Sequence, residues 1–86
     1  MKKTIHSQQS ALIREALKQV REKAGLTQRD LCRVLGKEHT FISKCELGER
    51  RIDIAELFWI CKACNASPKK EADKLMKAFE DLGLDI

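Results

Sequence analysis

Glycine and proline are scarce: four glycines and one proline in 86 residues leave no room for a Pro-rich or Gly-rich disordered linker. Long apolar runs are missing as well, so no segment approaches the length needed to cross a bilayer. Met1-Lys2-Lys3 is followed by Thr4, Ile5, His6, Ser7, Gln8 and Gln9, too polar for the core of a signal peptide. No strand pattern, internal repeat or low-complexity stretch stands out. Nor is there a convergent set of polar groups of the kind a catalytic pocket needs, so neither enzymatic activity nor a cofactor is expected. What is there is 43% hydrophobic and 35% charged residues. That composition fits a folded, helical chain of one domain, with a single core holding most of it together.

The formal net charge of +4 is unevenly spread. Residues 1–52 hold twelve Lys and Arg against six Asp and Glu, whereas residues 53–86 hold five against seven. A polyanion is therefore expected to meet the first part, although charge alone also describes an ordinary solvated face. Cys32, Cys45, Cys61 and Cys64 all fall within helix-periodic segments rather than loops, which argues against a secreted disulfide scaffold and for the reducing cytoplasm.

Five helices are legible. Leu12, Ile13, Ala16, Leu17, Val20 and Ala24 recur at helical spacing from about Ser10, and Gly25 with Leu26 provides a stop. Thr27, with Asp30 three residues later, starts a short second helix whose apolar stripe is Leu31, Val34 and Leu35 and whose end is Gly36. A third helix is expected from Glu38 to Leu47, with Ile42 and Cys45 inward and Gly48 as its stop. Asp53 and Glu56 open a fourth, carrying Ile54, Leu57, Phe58, Ile60, Cys61 and Cys64 as far as Asn65. Ser67-Pro68 opens a fifth, with Leu75, Met76, Phe79 and Leu82.

Two short helices joined by a tight glycine-containing connection have the spacing by which a helix-turn-helix presents its second helix to the DNA major groove. In detail, Gly25-Leu26-Thr27-Gln28-Arg29-Asp30-Leu31, then Val34-Leu35-Gly36, then Ile42-Ser43-Lys44-Cys45-Glu46-Leu47-Gly48 resembles the Cro/XRE-type helix-turn-helix family of phage repressors. Through Asp53-Ile54 and Ile60 to Ser67 the likeness extends over about two-thirds of the chain. It implies an all-α, five-helix fold and sequence-specific binding of double-stranded DNA by a transcriptional regulator, as a repressor. Three segments follow: a polar tail over 1–9, a DNA-binding domain over 10–67, and a C-terminal helix and tail over 68–86 that packs on the domain or mediates dimerisation.

The resemblance also assigns residues. It places His39, Thr40, Ser43 and Lys44 at base-reading positions, where Lys44 can donate to guanine O6 and N7. Gln28 stands at a phosphate-contacting position at a helix N-terminus, with Arg29 and Arg33 near enough to assist. Arg50 or Arg51 matches a backbone contact in the loop that follows. Arg21 and Glu46 match a structural ion pair that orients the recognition helix. Phe41 stands beside the readers, within reach of a thymine methyl or packed at the edge of the core.

Some positions depart from the pattern. Glu38 replaces the usual capping Ser or Thr, and its charge would repel phosphate unless it accepts from a cytosine amino group. Leu47 and Trp59 stand where polar residues are usual and so mark a candidate partner interface. Cys61-x-x-Cys64 has zinc or redox spacing but lies mid-helix, where the family has core residues, so no metal is expected. A homodimer suits a palindromic operator. The alternative is a protein-interaction module or antitoxin-like regulator whose main partner is another protein.

Overall fold

In the computed structural model, residues 3–83 are described, with side chains over 8–83. The order is α1 (Lys3–Lys23), α2 (Gln28–Leu35), α3 (Phe41–Leu47), α4 (Ile54–Ala63) and α5 (Pro68–Asp81), and no strand occurs among the described residues. Helix α1 packs against α3, α4 and α5, while α2 packs against α3 and α4. The core gathers Leu17 and Val20 from α1, Leu31 and Cys32 from α2, Phe41, Ile42 and Cys45 from α3, and Ile60 and Cys64 from the α4 end.

The helix ends explain why such short elements stay in place. Thr27 and Asp30 form a reciprocal capping box, as do Asp53 and Glu56, each satisfying two otherwise orphaned donors. Ser67 Oγ accepts from Lys70 N at 3.2 Å, with Pro68 inside the first turn. At the other ends α1 to α4 close alike: Leu26 N donates to Arg21 O, Lys37 N to Cys32 O, Glu49 N to Lys44 O and Ala66 N to Cys61 O. Asn65 takes the left-handed conformation at φ 58°.

Four differences from the sequence reading have local causes. Helix α1 begins at Lys3, so residues 3–9, read as a polar tail, are helical. No glycine or proline interrupts them, and their polarity simply hides the period. Helix α3 begins at Phe41 rather than Glu38, because Thr40 is its first flanking residue and Phe41 N turns back onto Glu38 O at 3.1 Å. Val34, expected in the α2 stripe, is 61% exposed, since Leu31 and Cys32 point inward and Leu35 packs beside them. Ile54 and Phe58 are exposed on α4, whose buried side is Ile60 and Cys61. Residues 1–2 of the expected tail and 84–86 of the C-terminal segment lie outside the described residues.

Candidate nucleic-acid interface

Three elements meet at one carboxylate. Arg21 Nε donates to Glu46 Oε2 at 2.7 Å and its Nη2 to Oε1 at 3.1 Å, while Gln28 Nε2 donates to the same Oε1 at 2.9 Å. Arg21 Nη1 donates to Leu26 O at 2.9 Å, which ties the pair to the α1–α2 turn. The two charged side chains retain only 11% and 8% of their exposure. Hydrogen bonding to Glu46 holds the Arg21 guanidinium above its ordinary range, against the opposing effect of burial. The first turn of α2, the end of α1 and the last turn of α3 are thereby fixed relative to one another.

The four residues placed at base-reading positions surround the start of α3. His39 is exposed in the turn before the helix, and Thr40 flanks it at φ −100° without a side-chain capping bond. Ser43 Oγ donates to Thr40 O at 3.0 Å, so its hydroxyl folds back on the helix while keeping acceptor lone pairs. Lys44 is exposed one residue on. Phe41 does not share this surface: it is buried, with the Arg50 guanidinium 4.7 Å and the Lys37 ammonium 5.3 Å from its ring centroid.

Around this start lies a concavity lined by Arg29, Cys32, Arg33, Lys37 and His39. Arg29 and Arg33 stand on α2, and Arg33 also meets Asp30 at 3.4 Å, an exposed pair of little energetic weight. Lys37 was missed in the sequence because it follows the Gly36 stop, outside any helix pattern.

Beyond α3 the two loop arginines separate. Arg50 Nη1 and Nη2 donate to Glu56 Oε1 and Oε2 at 2.9 and 2.8 Å, and Nη1 also donates to Arg51 O at 2.7 Å. With its guanidinium over Phe41, Arg50 is engaged by partners within the chain although its side chain keeps 43% of its exposure, and its hydrogen bonds hold the Glu56 carboxyl below the usual carboxylate range. Arg51 is exposed. Arg14 was also missed: its side chain crosses the Gly48 turn, where a glycine Cβ would sit 2.9 Å from Nη1. The usable signal was its place two helical turns before Arg21, on the same face of α1.

Leu47 is 72% exposed on the last turn of α3 and Trp59 is 60% exposed on α4, its ring edge-on to Phe58 at 5.0 Å. Cys61 and Cys64 are buried with free thiols, and burial pushes Cys61 up to about 11. Among the described residues no three His, Cys, Asp or Glu side chains come together in a way that could hold a metal ion, and no helix is long and apolar enough to cross a membrane.

The sequence pattern of the family described as "Helix-turn-helix domain" matches residues 13–75. Among solved structures, an XRE-family like protein from Pseudomonas syringae pv. tomato str. DC3000 superposes with a TM-score of 0.81 at 34% identity, over 88% of this chain and 93% of that one. No curated protein matches the chain.

Proposed function

The chain belongs to the Cro/XRE-type helix-turn-helix family of DNA-binding regulators, and from that membership we propose that it reads a specific duplex sequence with α3 in the major groove and represses transcription there. The observation that carries this reading is the Arg21–Glu46–Gln28 network, which holds α3 rigidly while leaving Lys44 and the turn before it exposed. In this reading His39, Thr40, Ser43 and Lys44 meet base edges. Gln28 retains one amide N–H beyond its bond to Glu46 for a phosphate, and Arg29, Arg33 and Arg51 supply charge. Arg50 instead supports the loop. The reading places the protein in the cytoplasm, with residues 10–67 as its DNA-binding unit.

A dimer built on the exposed apolar side chains would present two recognition helices to half-sites about 34–36 Å apart. Leu47 and Trp59 are the side chains we assign to that contact. They also favour a second reading, in which the same surface takes another protein as the main partner.

Selection of bound sequences from random duplex DNA, followed by titration of the best and a scrambled site at two salt concentrations, tests the first reading. The expected result is a palindrome bound at least about a thousandfold more tightly than scrambled DNA. Absence of enrichment, together with a stoichiometric protein partner lost on Trp59→Ala, would establish the second.

A further inference from the structure

We propose that Arg14, lying across the end of the recognition helix beside Arg51, grips one phosphate of the duplex backbone, so that α1 anchors the protein to DNA outside the helix-turn-helix itself. The inference rests on the DNA-reading function above.

The site is a concavity of about 470 Å³ between α1 and the α3–α4 loop, lined by Ser10, Ile13, Arg14, Cys45, Gly48 and Arg51 among others. Three of its lining residues are arginines and none is acidic. Arg50 is neutralised by Glu56 outside the lining, so Arg14 and Arg51 carry its charge. Burial raises the Cys45 thiol, so the inner wall is uncharged. Arg14 is also aimed: Nη1 donates to Ser10 Oγ at 2.8 Å, and its chain lies so close over Gly48 that a methyl group there would meet Nη1 at 2.9 Å and Cδ and Cζ at 3.3 Å. A guanidinium has five N–H donors, and this arrangement uses few of them while holding the fork in place. A tetrahedral oxyanion is the ligand such a fork suits best, bidentately. Gly48 ends α3, so an anion bound here sits at the end of the helix proposed to lie in the groove.

The test takes the full chain on its selected operator. Arg14→Gln should reduce the slope of log affinity against log salt by about one unit and weaken operator and scrambled duplex by the same factor. A scan with single methylphosphonates should find one backbone position that costs the wild type on the order of tenfold and costs Arg14→Gln nothing further. Should Arg14→Gln lower the melting temperature below the assay range, Ser10→Ala, which only releases the guanidinium, should blunt sensitivity at that same position. Inorganic phosphate should displace the operator from the wild type more than sodium chloride does at matched ionic strength, and this excess should vanish in Arg14→Gln. Saturable binding of inorganic phosphate to the free protein that Arg14→Gln abolishes, with no such excess displacement of the operator, would assign the site to a free oxyanion and overturn the backbone contact. Operator selection by the wild type with an unchanged slope in the variant would sink the Arg14 assignment alone, whereas no selection by the wild type would sink the DNA reading with it.

Discussion

Glu46 accepts from three N–H groups on two other helices and is nearly out of water, which makes it the side chain whose loss the fold tolerates least. Truncation leaves Arg21 charged, buried and with Leu26 O as its remaining acceptor. Removing one member of a well-buried pair costs roughly 3–5 kcal/mol, most of it the penalty on the abandoned partner rather than the worth of the bond. Glu46→Ala should therefore lower the denaturant midpoint and weaken DNA binding together, the second because α3 loses its tether to α1 and Gln28 loses its anchor. An unchanged midpoint with lost binding would show instead that Glu46 acts at the DNA surface. Double replacement of Arg21 and Glu46 by Met and Leu should recover much of the stability, since no charge is then stranded.

At the level of the element, α2 has eight residues and α3 seven, both too short to persist alone, so their ends and packing decide whether they exist. Gly36 and Gly48 end them in the same left-handed conformation, at φ 68° and 85°, but in different surroundings. An added methyl at Gly36 meets open space, whereas at Gly48 it meets Arg14. Gly36→Ala should thus cost only the backbone term, about 1–2 kcal/mol, and Gly48→Ala measurably more. Equal melting temperatures for the two variants would mean that Arg14 moves aside freely. The same contrast explains what was legible in the sequence. The α2 and α4 starts could be read because a capping box is a local pattern, Thr27 to Asp30 and Asp53 to Glu56. The α3 start could not, because Thr40 flanks it without a side-chain bond and Glu38 and His39 give no cap. The first seven residues of α1 carry too little apolar content to show a period. The roles of Lys37 and Arg50 depend on Phe41 and Glu56 across a helix boundary, and that of Arg14 on Gly48, 34 positions away, with its place on the Arg21 face of α1 as the local sign.

Across the whole molecule, four free thiols are buried, Cys32, Cys45 and Cys64 within one core and Cys61 beside it on α4, so a reagent attacks them only when the packing of the helices opens. Their reactivity is therefore a measure of global stability. A thiol reagent under native conditions should label all four at a common rate that rises with denaturant in step with the unfolded fraction. One fast-reacting cysteine would reveal a separate local opening. The same burial fixes the alkaline behaviour. Desolvation raises the Cys61 thiol from 9.0 to about 11, and Glu71 and Cys64 push in the same direction. Between these values the unfolded chain has released a proton that the folded chain still holds, so rising pH draws the equilibrium toward unfolding. The contribution of Cys61 is thus intact below about pH 9, declines above it and is fully lost above about 11. Cys61→Ala isolates this contribution: it should be less stable than the wild type at pH 7 through the lost sulfur contacts, yet show a flatter decline of denaturant midpoint from pH 9 upward. Parallel declines in the two proteins would mean that the alkaline loss belongs to other groups, the raised thiols of Cys45 and Cys64 among them, and not to Cys61.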